Sequence, residues 1–250
     1  MNFTQATNPI QTNNLAGKHI VIFGGTSGIG LATAIQAKQA GAKVHVVGLD
    51  ATRAGKMAAQ HGFESWRAAD ITQSEAVYNA LADLETVDHL VLLAGTFVAG
   101  KTLDADIAYL RRAFDERIWA SVHALRALGD RLSKDGSVTF ISGSLADRPN
   151  AYGTAVLAAA SAAMEALARG LALELAPIRV NTLSPGPIDT PILTKAMGDA
   201  RDGFVAALER TLPLHRLGTA DEAGAAVVFL MSNGFMNGAT INVDGGARLV

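Results

Sequence analysis

The 250-residue sequence contains no cysteine. Disulfides, thiol catalysis and cysteine-ligated zinc are therefore excluded, no metal site is expected, and a reducing compartment, the cytoplasm, is the expected location. The sequence also lacks an excess of either charge: 21 basic against 23 acidic side chains leave a net charge of −2. With both signs scattered, no basic face for nucleic acid or another polyanion is expected. Long uninterrupted apolar runs are missing too. The longest are alanine-rich and broken, and residues 1–14 have neither a basic start nor a hydrophobic segment. Neither export nor membrane spanning is expected.

What is present is ample apolar material, 49% of the residues, enough for one large α/β core. Residues 1–14, MNFTQATNPIQTNN, are polar, uncharged and include Pro9, which predicts a flexible or surface-draped arm ahead of a domain spanning 15–250. The domain opens on the stretch around which the rest is organised. His19 to Phe23 is a short β-branched run that ends in Gly24-Gly25-Thr26-Ser27-Gly28-Ile29-Gly30. Leu31 to Ala40 then reads as a helix, and Lys43 to Val47 as a second strand. Glycines let the backbone turn tightly and approach phosphates, while a helix start presents unpaired N–H groups and a positive dipole end. Strand, glycine turn, helix and strand in this order point to a dinucleotide.

Alternation continues along the chain. A helix over 51–61, a weak strand over 65–68 and a helix to about Leu84, capped by Thr72 or Ser74, precede a fourth strand at His89 to Leu93. A long helical region from about Asp104 to Lys134 leads to a strand over 137–141. A helix over 156–175 and a strand over 179–183 follow, and the last pair is a helix over 220–231 and a strand over 240–243. With no hairpin signal, the pattern predicts a single-domain, doubly wound parallel sheet of about seven strands with helices on both faces. Ligands then belong at the carboxyl ends of the strands. The longest irregular piece, about 185–217 with a short amphipathic helix near 204–211, is placed to form a lid.

In these motifs the chain resembles the short-chain dehydrogenase/reductase family over nearly all of its length from Leu15. The resemblance rests on the Gly24-x-x-x-Gly28-x-Gly30 turn, Asp70-Ile71-Thr72, Ala94-Gly95, Arg179-Val180-Asn181, Ser184-Pro185-Gly186 through Thr190, and Val243-Asp244-Gly245-Gly246. It implies a Rossmann fold, an NAD or NADP cofactor, and hydride exchange between an alcohol and a carbonyl of a small-molecule substrate. Carried over position by position, it assigns cofactor contacts to Gly24, Thr26, Ser27, Gly28, Ile29, Gly30, Asp50, Asp70, Ile71, Ala94, Gly95, Pro185, Gly186, Ile188 and Thr190.

The family's usual Ser, Tyr and Lys are not all here. Anchored on Ala162-Ala163-Met164-Glu165, the lysine position is Ser161 and the tyrosine position is Leu157. A phenol exchanges protons near neutrality only with a cation beside it, and neither group is present. Ser144 holds the serine position, with Ser142 nearby, and the asparagine position falls on or near Arg117. Tyr152 is the candidate to replace the missing phenol, with Ser144, Arg117 and Asp147-Arg148 able to polarise a carbonyl. The expected function is an oxidoreductase with a degenerate site; the alternative is an inactive dinucleotide-binding protein serving as redox sensor or partner subunit.

At the end of the second strand the acid that selects NAD and the arginine that selects NADP are replaced by Gly48 and Leu49. Asp50 either reaches the ribose or caps the next helix, so NAD and NADP both stay open. The helix over 156–175 is apolar on nearly every side and must be covered. The resemblance implies that it pairs with the long helix before it across a two-fold, giving a homodimer or homotetramer, with 247–250 at a second contact. Ile192, Leu193, Met197 and Phe204 in the lid suggest an apolar substrate.

Overall fold

The computed structural model describes residues 15–250, so the N-terminal arm expected over 1–14 lies outside the described residues. Five β-branched or aromatic-rich runs and two shorter ones pair in parallel as a seven-stranded sheet. In chain order its strands are β1 (His19–Phe23), β2 (Lys43–Gly48), β3 (Ser65–Ala68), β4 (Val87–Leu92), β5 (Leu132–Ile141), β6 (Arg179–Pro185) and, last, the C-terminal strand Thr240–Val243. Across the sheet they run β3-β2-β1-β4-β5-β6 and then the C-terminal strand. The order reverses between β1 and β4, which creates the crevice where ligands sit in doubly wound sheets.

Strands buried on both faces need helices on both sides. On one side, α1 (Gly28–Gln39) and the helix Ala220–Ser232 cover Ile20, Ile22, Val44, Val46 and Leu183. On the other, α3 (Ser74–Leu81), α5 (Ala120–Leu128) and α6 (Ala155–Glu174) cover Val21, Phe23, Leu90, Leu92, Val138, Phe140 and Val180. Between β2 and β3 runs α2 (Ala51–His61), and α4 (Ile107–Phe114) precedes α5.

Several boundaries differ from the sequence reading. The long helix expected over 104–134 is two helices joined by a wide π-helical turn, Asp115–Trp119. It starts only at Ile107, where the Asp106 carboxylate accepts from Tyr109 N at 2.9 Å, and α5 stops at Gly129, whose φ is +51°. Leu132 already belongs to β5, paired with Val87 ahead of a register shift. Helix α3 is capped by neither Thr72 nor Ser74. Thr72 donates its N–H and hydroxyl to Asp70 at 2.9 and 2.8 Å, and Gln73, at the cap, makes no side-chain bond to the helix start.

The segment expected as an irregular lid is half helical. It leaves β6, forms a two-residue strand β7 (Ile188–Asp189), then α7 (Pro191–Met197) and α8 (Arg201–Thr211), and returns as β8 (Gly218–Thr219). β7 and β8 pair in parallel, so both ends of the segment are tied together at its base. The helix that follows, α9 (Ala220–Ser232), starts on a capping box between Thr219 and Glu222, and β9 is the C-terminal strand.

Helix α6 is long and apolar enough, by length and composition, to cross a membrane, with 39% of its most apolar window buried within the chain. Its place is that of a crossover helix between β5 and β6, with Met164, Ala168 and Ala172 in the core against the sheet.

Candidate functional site

The carboxyl ends of the strands gather the sequence-predicted residues. Gly24 to Gly30 lead from β1 into α1; Asp50 follows β2; Asp70 and Ile71 follow β3; Ala94 and Gly95 follow β4; Ser144 follows β5; Pro185 ends β6, and Gly186 to Thr190 follow it. The glycine turn is shaped by close backbone approach. Gly24 has φ +81°, and a Cβ on it would lie 2.9 Å from Ala94 N; a Cβ on Gly30 would lie 2.2 Å from the Gly24 carbonyl oxygen. The turn is thereby locked against the end of β4. At α1 the cap residue Ser27 makes no side-chain cap bond, and the first turn holds no acidic residue. The leading N–H groups of α1 are left for an anion, as a pyrophosphate requires.

The lid base reaches this turn. A Cβ on Gly28 would meet the Thr190 side chain at 3.3 Å, so Thr190 and the glycine turn touch. At the end of β2, Thr26 fills the space beside Gly48, where a Cβ would come within 2.7 Å of its side chain. Asp50 is the N-cap of α2, accepting from Arg53 N at 2.9 Å, with its second oxygen 3.5 Å from the Arg53 guanidinium. That backbone bond, with Arg53 beside it, holds the exposed Asp50 carboxyl below its ordinary value.

The two positions that the resemblance aligns with the tyrosine and the lysine form a different environment. Leu157 is 3% exposed in a cluster with Val98, Leu110, Ala113 and Ala160, closed by Phe97, Phe114, Leu145 and Val156. Ser161, also 3% exposed, lies one turn on; its carbonyl accepts from Ser142 Oγ at 3.0 Å, and the same hydroxyl lies 2.7 Å from Glu165 Oε1. Ser144 is half-buried at the start of a short 3-10 turn, its hydroxyl making no bond to another described residue. Tyr152 stands apart: its ring is 81% exposed in the loop before α6, which is held by the bond from Gly100 N to Gly153 O at 2.8 Å.

Around the π-helical turn the sequence pointed to Arg117 but not to Glu116 and its partners. The buried Glu116 carboxylate accepts from Thr96 N at 2.6 Å, Thr96 Oγ1 at 2.8 Å and Arg112 Nη2 at 2.7 Å. Arg117 turns the other way, toward Gly95, and donates to the carbonyls of Thr96 and Ala113 at 3.2 and 3.3 Å. Burial pushes the Arg117 guanidinium below its usual value, with Glu116 opposing the shift. No sequence signal marks the extra residue of a π turn, so the two side chains could not be assigned facing directions beforehand.

Comparison with known proteins fits this geometry. A family model described as enoyl-(acyl carrier protein) reductase matches residues 24–248. The short-chain dehydrogenase/reductase ATR9 of Stachybotrys chlorohalonatus is 33% identical, over 94% of this chain and 98% of its own. The chain belongs to the short-chain dehydrogenase/reductase family. Another relative, the cyclic-di-GMP-binding biofilm dispersal mediator protein of Escherichia coli, is 30% identical over 92% of this chain and 96% of its own. Among solved structures, a small-chain dehydrogenase in complex with NADPH shares 36% identity and a TM-score of 0.80, over 94% of this chain and all of that one. Short-chain dehydrogenases are oxidoreductases, and the cofactor of this member is NAD or NADP.

Proposed function

We propose that this chain is an NAD(P)-dependent oxidoreductase that exchanges hydride between an alcohol and a carbonyl carbon, at a site without the family's phenol-ammonium relay. The observation that carries the reading is the glycine turn locked against Ala94, with the leading N–H groups of α1 free of any side-chain cap. The residues that hold the cofactor are Gly24, Thr26, Ser27, Gly28, Ile29 and Gly30 at the phosphates, Asp70 and Ile71 toward the adenine, and Ala94, Gly95, Pro185, Gly186, Ile188 and Thr190 toward the nicotinamide. Asp50 shapes the ribose end from its capping position. The bound dinucleotide supplies or accepts the hydride; the protein fixes the distance and excludes water, which by itself gives much of the rate of an oriented reaction.

Ser144 orients the substrate oxygen through its unbonded hydroxyl. Tyr152 is the second hydroxyl of the site, and it reaches substrate only by inward movement of its loop. The lid residues Leu193, Met197 and Phe204, half-buried beside the more exposed Ile192, favour an apolar small molecule. The setting is cytoplasmic, and the assembly is a homodimer or homotetramer built on α4 to α6.

A second reading has its own observation. Leu157 and Ser161 are both 3% exposed, and the two positions are filled by an aliphatic group that exchanges no proton and a hydroxyl that carries no charge, as in a dinucleotide-binding sensor or partner subunit. Titration with NAD(H) and NADP(H), followed by an assay on carbonyls and alcohols, separates the two. Slow turnover that falls about 10²-fold or more in Ser144→Ala supports the oxidoreductase, by the usual worth of one positioned acid-base group. Tight binding with no turnover across the panel supports the sensor or subunit.

A further inference from the structure

We infer that Arg117 is a fixed cation beneath the nicotinamide half of the bound dinucleotide, and that it makes the site favour the reduced, uncharged ring over the oxidised, positively charged one. This rests on the dinucleotide reading proposed above. With the pyrophosphate at the start of α1, beside the end of β1, the adenosine half extends over β2 and β3, and the other half extends over β4 and β5. The loop that leaves β4 is therefore under the reactive half. It includes Gly95, and the Arg117 guanidinium carbon lies 3.6 Å from where the Gly95 Cβ would project.

Among the described residues no carboxylate is bonded to Arg117. Its two bonds go to the carbonyls of Thr96 and Ala113, its Nε is buried without a partner, and it forms no ion pair among the described residues. The adjacent carboxylate, Glu116, is bonded to Thr96 and paired with Arg112. The crevice that Arg117 lines is otherwise walled by Glu116, whose charge Arg112 already meets, and by neutral side chains that include Ile71, Ala94, Ser121, Ile141 and Met164. An arginine keeps its proton at such depth, so the charge is permanent. In a poorly screened setting it repels a second positive charge placed above it and is indifferent to a neutral ring.

The test is the ratio of dissociation constants for oxidised and reduced dinucleotide, measured by calorimetry on the purified chain, with ADP-ribose as the probe that lacks the ring. The expected wild-type ratio is about ten or more in favour of the reduced form, the size given by unit charges roughly a ring's width apart at intermediate dielectric. Arg117→Met brings the ratio toward one, Arg117→Lys preserves most of it, and ADP-ribose affinity stays the same in all three. A wild-type ratio near one overturns the inference, whether or not Arg117→Met folds. So does a ratio unchanged in Arg117→Met, or a loss of ADP-ribose affinity equal to that of both dinucleotides, which marks a merely structural role. Failure of the wild type to bind ADP-ribose or either dinucleotide removes the underlying reading as well; equal binding of both redox forms removes only this one.

Discussion

Thr26 explains why position 48 carries no side chain: it already occupies the space into which one would project. An aspartate at 48 would have to displace the Thr26 side chain. Leu49, at the arginine position, is 76% exposed and holds nothing in place. Leu49→Arg is therefore expected to leave the melting temperature unchanged and to tighten NADPH binding about tenfold over NADH, since a charge-assisted bond to phosphate is worth roughly 1.5–3 kcal/mol. Parallel titrations of the two cofactors check it. The same residue-scale logic applies at Leu157. Its burial predicts that Leu157→Ala costs about 2–5 kcal/mol in denaturant unfolding, the range for emptying a packed leucine site. An exposed cleft leucine would cost far less. Both positions were readable as departures from the family pattern, yet their surroundings were not. Sequence spacing named Leu157 as the relay position, but the apolar partners that bury it come from residues 97–98, α4 and 145, distant in the chain.

Among the elements, β1 to β5 carry a row of histidines and serines near their amino ends. His19 Nδ1 and His45 Nε2 are 3.1 Å apart, His45 Nδ1 and Ser65 Oγ 2.8 Å, and His89 Nδ1 and Ser137 Oγ 2.8 Å. Burial is the main reason that His45 and His89 are lowered from 6.5 to about 4. His19, Arg67 and Lys43 add to the shift at His45 while Glu64 opposes it; at His89, Arg179 and Lys18 add and Asp88 opposes. The unfolded chain then binds more protons than the folded one between these values. Stability from this row is complete above about pH 6.5 and is lost as pH falls toward 4. Scanning calorimetry should show a falling melting temperature across that window, with a shallower slope in His89→Gln; a flat profile would contradict the assignment. The strands that carry this row were legible from their β-branched runs. Helix ends were less so, because Gly129, the π turn and the Asp106 cap act over one or two residues, below the resolution of a periodic pattern.

For the whole molecule, the outward side of α6 is the main unsatisfied surface. Ala159, Ala162, Ala166 and Gly170 are exposed along it, Leu173 is 84% exposed near its end, and nothing lies within 4 Å of a Cβ built on Gly170. Trp119, 54% exposed, stands on the neighbouring π turn. Small residues in a row allow a second helix to approach closely, and apolar surface of this extent gains from being covered. Light scattering is expected to give two or four times the 25.9 kDa chain mass, and Gly170→Glu to shift it toward one. A single-chain mass independent of concentration would refute the proposed assembly.

The sequence by itself determined the alternation of strands and helices and the glycine turn, because each is local: a periodicity or a backbone requirement. Only the tertiary structure decided that Leu157 is walled off by apolar side chains, that Asp50 caps α2, and that a buried arginine bonded to no carboxylate among the described residues lies beside Gly95. Those facts arise where separate strand ends converge, and no stretch of chain holds them alone.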